Sequence, residues 1–423
     1  MDSFAQEEDY IKFDFSDEEA WKKIEKDSPD NQNPKKGFFQ KTVAKMENLF
    51  KRKYLEDSSP ISKRSRRKIE APWAKDYSEE TSVSRILHRE ILDFSNFISP
   101  TKEEHFVREL VVQRVNALIQ KHWKNVQLCA FGSFDTMLYL PTSDIDLVIL
   151  SLGPRIYETR KDLHKLSCYL RCSNVAKDIQ VITGATVPII KFIDTLTQIH
   201  VDISFNKPGG LISANIIKQH MKEHYALKPL VMFVKHFLNM RGLNEVFLGG
   251  LGSYSIICLV VSFLQRHPKL LSKEIKEQDN LGVLLMEFFE LYGKLFNYNE
   301  VGISINDGGK YFSKRLRGWT KSSQPFLLSI QDPADPENDI AKSSRCILKI
   351  KATLGGAFDL LASRLYHVNK TIKPSSRRKR KKHNVHVDSI LSAIVSIDTD
   401  IIEHRQMLKQ IYNENKKILK PEI

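Results

Sequence analysis

Two aspartates, Asp144 and Asp146, flank a single isoleucine at the head of the apolar run Ile145 to Leu150. Alternate side chains of a strand share a face, so the two carboxylates point the same way while Ile145, Leu147 and Ile149 point into a core. A strand holds them about 6 to 7 Å apart, close enough to bridge magnesium ions, which take oxygen ligands and leave positions open for substrate phosphates. A third carboxylate comes from another apolar strand, Ile199 to Phe205. There Asp202 shares the polar side with His200 and Ser204, and Val201, Ile203 and Phe205 pack inward. Gly132 and Ser133, just after the strand ending at Phe131, suit a tight turn whose amides and hydroxyl approach a triphosphate. Clustered carboxylates repel one another without a cation, so a chain with no catalytic task gains nothing from them.

The elements around these residues predict an α+β, two-lobed architecture. Phe106, Leu110, Val111, Val115, Leu118, Ile119 and Trp123 form one apolar stripe at helical spacing. Strands are expected over 126–131, 144–150, 179–182, 187–193 and 199–205. After Gly210 the pattern becomes helical over 227–240, 254–266 and 282–296, with apolar residues on more than one face, as in helices packed into a second lobe. Gly249, Gly250 and Gly252 open the middle helix, and Asp307 to Gly309 break the chain. The expected division is a tail over 1–70, a mixed-sheet catalytic domain over 101–206, a helical central domain from 71–100 and 207–368, and a basic linker with an amphipathic helix over 369–423. The linker contains Arg377 to Lys382, and Ile390, Ile394, Ile397 and Ile401 follow at helical spacing.

Composition bounds the partners. The net charge of +14 and pI near 9.3 suit a polyanion such as nucleic acid, or equally an anionic membrane surface. The longest apolar run, Ile256 to Leu264, is about half of a membrane span and reads as a buried helix. No secretory signal is visible, and the protein is expected inside the cell. Cys129, Cys168, Cys172, Cys258 and Cys346 lie in apolar or mixed segments without paired zinc spacing, and are expected as reduced core thiols. The tail is too polar to bury a core and is expected to be disordered. Within it, Tyr10, Phe13, Phe15 and Trp21 among acids fit either a docking element for a partner protein or a plain solvated stretch. The cluster Lys51 to Lys53 with Lys63, Arg64, Arg66, Arg67 and Lys68 fits either a bipartite nuclear import signal or an RNA-backbone patch.

Gly132-Ser133, the stretch Tyr139 to Asp146 and Val201-Asp202-Ile203-Ser204 together resemble the DNA polymerase β-like nucleotidyltransferase superfamily. Gly249 to Cys258, Asn280 to Gly293 and Ile330 to Asp339 narrow the likeness. They resemble the non-canonical poly(A) polymerases of the TRAMP nuclear RNA surveillance complex, over about Pro72 to His367. The resemblance implies AMP transfer from ATP to RNA 3′ ends without a template, with two magnesium ions, or manganese in their place, on Asp144, Asp146 and Asp202. It also implies nuclear or nucleolar localisation, a zinc-knuckle RNA-binding protein and an RNA helicase as partners, and an indirect link to the nuclear exosome. No membrane role is expected.

For the nucleotide, the resemblance implies that Lys235 contacts the triphosphate, Ser253 a phosphate oxygen and Gly210 the ribose, with Tyr254 stacking under the base. Related uridylyltransferases carry a histidine where this chain has Asn338, six residues after Asp332, which points to ATP. Two positions depart from the family pattern. Lys342 replaces arginine and loses its bidentate fork, and Ser213 stands where relatives carry alanine or asparagine. The alternatives are a terminal uridylyltransferase, a polymerase using deoxynucleotides on DNA, and an inactive scaffold for RNA and helicase.

Overall fold

The computed structural model describes residues 68–69, 71–153, 160–184, 187–207, 209–372 and 388–419. The acidic aromatics around Phe13, the basic cluster from Lys51 and the run Arg377 to Lys382 lie outside them. Among the described residues, no helix is long and apolar enough to cross a membrane.

The first lobe is built on a five-stranded sheet of order β2-β3-β6-β5-β4. Its strands are β2 (Val126–Phe131), β3 (Ile145–Ser151), β4 (Ala176–Ile182), β5 (Ile189–Asp194) and β6 (His200–Phe205). Only β3 and β6 run parallel, and the other neighbours are antiparallel, so the sheet is mixed as expected. Helix α2 (Lys102–His122) starts on a capping box formed by Thr101 and Glu104, which satisfies two orphan amide donors of its first turn. Its stripe Val107, Val111, Val115 and Ile119 is buried with Ile145, Leu147, Ile149, Val201 and Ile203 in one core. Helix α4 (Arg160–Cys172) adds Leu163, Leu166 and Leu170 to that core. A buried ion pair, Arg114 to Asp194 at 2.6 Å, ties α2 to the β5–β6 hairpin. Asp194 also accepts bonds from the Leu196 and Thr197 amides and the Thr197 hydroxyl, which sets the turn leading into β6.

The second lobe packs α1 (Val83–Ile98), α6 (Leu227–Asn239), α7 (Ser253–Arg266), α8 (Leu281–Glu290) and α9 (Ile347–Ile372) around a separate core. Helix α6 is buried almost all round, as its apolar pattern requires. The third predicted helix ends early: after Glu290 the backbone widens into a π-helical turn, Leu291–Leu295. This turn meets α9 where Gly293 and Gly355 touch; a Cβ on Gly293 would fall 2.3 Å from the Gly355 nitrogen. The break at Asp307 to Gly309 is the turn of a hairpin, β7 (Val301–Ser304) with β8 (Lys310–Ser313), with Asp307 at φ 56.

The C-terminal segment departs from expectation. Ile390, Ile394 and Ile397 do not share a helix with Ile401. They are buried against the helical core from an irregular stretch that ends in strand β9 (Ile397–Asp398), paired antiparallel with β1 (Lys68–Ile69). Tertiary burial of apolar side chains has overridden their helical period. The helix proper, α10 (Thr399–Leu419), puts Leu408 and Ile411 into the sheet lobe's core. Helix α9 also runs four residues past the boundary expected at 368. The cysteines are all free as expected, but only Cys258 is a core thiol; Cys172 is exposed and the others half-buried.

Candidate active site

Sheet register builds the carboxylate site. In the parallel pair, Asp146 stands opposite Asp202, and Asp144 directly precedes the first residue of β3. One oxygen from each of the three carboxylates lies within 4.8 Å of the other two. The antiparallel partner strand completes the row by setting Lys191 opposite Asp202, and the Lys191 ammonium donates to Asp202 Oδ2. Burial, together with the charges of Asp144 and Asp202, holds Asp146 well above the usual carboxylate range. Asp202 is also raised, by burial first, with Asp144 adding to the shift and the Lys191 bond opposing it. Three crowded, half-buried acids with one cation fit a divalent metal, whose charge and need for oxygen ligands answer both the repulsion and the burial.

The loop into Asp144 is pinned from three sides. Buried Arg108 of α2 donates to the Pro141 carbonyl at 3.1 Å and lies 4.5 Å from the Tyr139 ring centroid. Ser143 closes the turn by donating its amide to Leu140 O and accepting the Leu140 amide on its hydroxyl. From the helical lobe, Lys235 donates to the Leu138 carbonyl at 2.5 Å. Lys235 is therefore no solvated helix charge. It is buried beside Asp144 and Asp146, and burial lowers its ammonium to about 8 against the pull of those two acids.

Gly132 is fixed by two constraints. Its φ is +67, and a Cβ would fall 2.7 Å from Asp146 Oδ2. With Ser133 it opens the short helix α3 (Gly132–Asp135) beside the triad, a helical turn where a tight turn was expected. Gly210, on α5 (Gly209–Glu223), is held against Phe131, whose ring would meet a Cβ at 2.3 Å.

The cleft between the lobes has a volume of about 300 Å³, and its walls include Asp144, Asp202, Lys191, Lys235 and Ser253. Ser253 begins α7, and the adjoining Tyr254 belongs to a second group of polar contacts. Tyr254 donates to Asp332 Oδ1 at 3.2 Å, and Asn338 Nδ2 donates to Asp332 Oδ2 at 3.1 Å. Ser213 bonds the Tyr254 phenol, and Lys342 reaches Asn338 Oδ1 at 3.4 Å. Ser204 shares the Asp202 face as expected but is covered there: it is buried and donates to Leu147 O.

Sequence reading missed Lys191, Asn239 and Glu245 in the cleft wall. For Lys191 a signal existed, a lysine interrupting the apolar strand Ile189 to Ile193. Asn239 and Glu245, at and beyond the end of α6, gave none.

Residues 87–222 match the poly(A) RNA polymerase, mitochondrial-like, central palm domain, and residues 280–338 match the Cid1 family poly A polymerase domain. The chain is 48% identical to Poly(A) RNA polymerase cid14 of Schizosaccharomyces pombe, over 98% of this chain and 61% of that protein. It thus spans about three fifths of that relative's length. The solved polymerase core of TRAMP, an RNA surveillance complex, superposes with a TM-score of 0.68 at 40% identity, covering 76% of this chain and 98% of that one. Trf4-2 of Drosophila melanogaster, named as an inactive poly(A) RNA polymerase, is 34% identical over 76% of this chain and 75% of its own. Kinship alone therefore does not bring activity, which has to be argued from the carboxylates. On these matches, the chain belongs to the non-canonical poly(A) RNA polymerase family, of the TRAMP type.

Proposed function

We propose that this chain transfers AMP from ATP to the 3′ hydroxyl of RNA without a template. The observation that carries this reading is the convergence of Asp144, Asp146 and Asp202, of which Asp144 and Asp202 line a cleft together with a buried lysine of the helical lobe. A divalent cation, magnesium in our reading, would be held by the three aspartates and would supply the charge that acidifies the 3′ hydroxyl and steadies departing pyrophosphate.

The protein's own groups do the rest. Lys191 fixes the orientation of Asp202, whose raised pKa suits it to accept the hydroxyl proton. Lys235, held by Leu138 O, is preorganised to offset charge developing on the triphosphate without moving. Ser253 offers its hydroxyl and the amides at the start of α7 to a phosphate. Tyr254 offers a ring for the base to stack on.

Base choice rests on Asn338. Its Nδ2 is committed to Asp332, which only accepts, and its Oδ1, which Lys342 reaches with one donor, keeps a second lone pair to accept a hydrogen from the adenine 6-amino group. Uracil offers an oxygen at that edge. RNA is held through its backbone by basic surface, and selection of targets falls to a zinc-knuckle RNA-binding protein and a helicase, in the nucleus or nucleolus and upstream of the exosome. The family membership and the TRAMP likeness support that placement. A fluorescent fusion with Lys63, Arg64, Arg66 and Arg67 replaced by alanine tests it: unchanged nuclear signal removes the import role from that cluster.

The direct test is extension of an unstructured RNA oligonucleotide by the purified chain with each of the four NTPs and four dNTPs. Metal-dependent addition from ATP is expected, lost on Asp144→Ala with Asp146→Ala while the circular dichroism melt stays cooperative and no lower than wild type. Extension by that folded double variant would remove the site assignment, and preference for UTP would remove the base assignment.

A further inference from the structure

A second set of metal-ligating side chains lies outside the cleft, where the chain passes from α5 to α6. His220 and Glu223 sit in the last turn of α5, His224 follows it, and one ligand atom from each of the three lies within 4.8 Å of the others. Positions three and four apart face the same side of a helical turn. His220 Nδ1 and Glu223 Oε2 are 3.1 Å apart. Bonds of about 2.0–2.1 Å at tetrahedral angles give a ligand-to-ligand edge of about 3.3 Å, so this pair needs little movement to share an ion that displaces the proton His220 Nδ1 donates to Glu223.

Neighbours hold further atoms of the three side chains. Gln219 Nε2 donates to Glu223 Oε1 at 2.8 Å. His224 Nδ1 lies 2.8 Å from Glu277 Oε1, and Glu277 Oε2 accepts the Ala226 amide at 2.8 Å. A carboxylate accepts only, so the His224 proton is on Nδ1 and a lone pair is left on Nε2. A carboxylate behind an imidazole is the arrangement that orients histidine ligands and raises their basicity. His220 and His224 side chains are 12% and 16% exposed and Glu223 45%, so the cluster is fixed yet reachable from solvent.

We propose that His220, Glu223 and His224 bind a divalent transition-metal ion of the zinc type at a site separate from the catalytic aspartates. Two imidazoles and one carboxylate suit zinc, whereas the all-oxygen set of Asp144, Asp146 and Asp202 suits magnesium. The ion would clamp the end of α5 to the helical turn Glu277–Asp279 through the His224 to Glu277 bond. Helix α5 leaves the sheet directly after β6 and is tied to α3 by Lys218 and Asp135 at 2.7 Å, so the clamp acts on the junction of the two lobes. The inference does not depend on the polymerase reading.

Its test uses the full chain carrying Asp144→Ala and Asp146→Ala, so that the catalytic carboxylates do not compete, stripped with chelator and titrated with cobalt(II). Visible absorption of four-coordinate cobalt saturating at one equivalent, bleached by zinc, is expected, together with a zinc-dependent rise in Tm. Adding His220→Ala and His224→Ala should remove both signals. Glu277→Gln keeps every ligand but loses the orienting charge, and should weaken cobalt binding about 10–100-fold. Absence of the cobalt spectrum in the parent, or a spectrum and Tm rise that survive loss of both histidines, overturns the site. An unchanged cobalt affinity in Glu277→Gln overturns the orienting role. If the double histidine variant fails to fold, Glu223→Gln replaces it, and a cobalt spectrum and Tm rise left unchanged by that substitution overturn the site.

Discussion

The two walls of the cleft are built on opposite logics. The sheet lobe presents charge on a half-buried face: Asp146, Asp202 and Lys191 sit side by side on β3, β6 and β5, with Asp144 just ahead of β3, beside apolar neighbours that anchor the strands. The helical lobe buries its charge. Lys235 lies on α6 among the buried residues Val231, Met232, Val234 and Leu238, on a helix with almost no exposed side, and it lines the cleft. Hence one wall carries acids that repel one another until a cation arrives, and the other a cation whose desolvation is offset by those acids. Each wall is electrostatically incomplete alone, which makes the cleft a device for holding metal and triphosphate together.

The largest effect should come from breaking the acidic wall. Asp144→Ala with Asp146→Ala is expected to lower AMP incorporation by at least about 10³-fold, because metal ions contribute several kcal/mol and each 1.36 kcal/mol is tenfold. Chelator should do the same to the wild type, and steady-state extension of labelled RNA measures both. The basic wall should matter less. Lys235→Met keeps the stem in the core and removes only the charge, so kcat should fall about 10²-fold, the scale of one preorganised electrostatic contact. An unaltered kcat would assign Lys235 to packing and to its Leu138 bond alone.

Smaller still is the change at the base. Asn338→His removes the amide that bonds Asp332 and fills the volume beside Tyr254, and the ratio of kcat/KM for ATP over UTP should fall about 10–100-fold, since one pocket contact is worth about 1–3 kcal/mol. Competition between the two labelled nucleotides in one reaction reads it directly. A ratio that does not move would place base choice elsewhere in the Asp332 to Lys342 segment.

The same contrast explains what the sequence could reveal. Period-two alternation is short-range and unambiguous, so Asp144, Asp146 and Asp202 were legible on their strands, and the apolar faces beneath them predicted the shared core. The pairing of Asp146 with Asp202 was not, because β6 is inserted next to β3 across more than 50 residues and no local pattern encodes register between distant parallel strands. Lys235 was legible as a residue but not as a buried one, since burial of a lone lysine depends on the partners that Leu138 and Asp144 supply. Ile390, Ile394 and Ile397 misled because helical spacing is also what an irregular segment can show when it packs its apolar side chains on a core. What holds that segment is long-range chemistry: Glu90 accepts the Ile390 and Leu391 amides and the Ser389 hydroxyl, and Arg405 bonds Glu104 and the carbonyls of Phe97 and Ser99.

The smallest effect separates the two walls by pH in metal-free protein. Asp146 is raised above its ordinary value of 3.8, so below that value it is neutral in both folded and unfolded chains and contributes nothing. Above it the unfolded chain releases the proton first, and stability falls as pH rises toward the folded pKa. Lys235 has the opposite sign. Lowered from 10.5 to about 8, it makes the folded chain bind fewer protons than the unfolded chain in that window, so stability rises from pH 8 to 10.5. Asp146→Asn should therefore match wild type at pH 3.5 and exceed it at pH 7.5 by about 2–4 °C in Tm, the scale of about 1 kcal/mol in a domain of this size. Lys235→Met should instead lose its advantage over wild type only between pH 8 and 10.5. Millimolar magnesium should raise the wild-type Tm at pH 7.5 and cancel the lead of Asp146→Asn, because the cation relieves the same repulsion that the amide removes. Calorimetry with and without the ion distinguishes these outcomes. If the lead of Asp146→Asn persists in magnesium, the carboxylate crowding is a property of the fold alone and the triad is not a metal site.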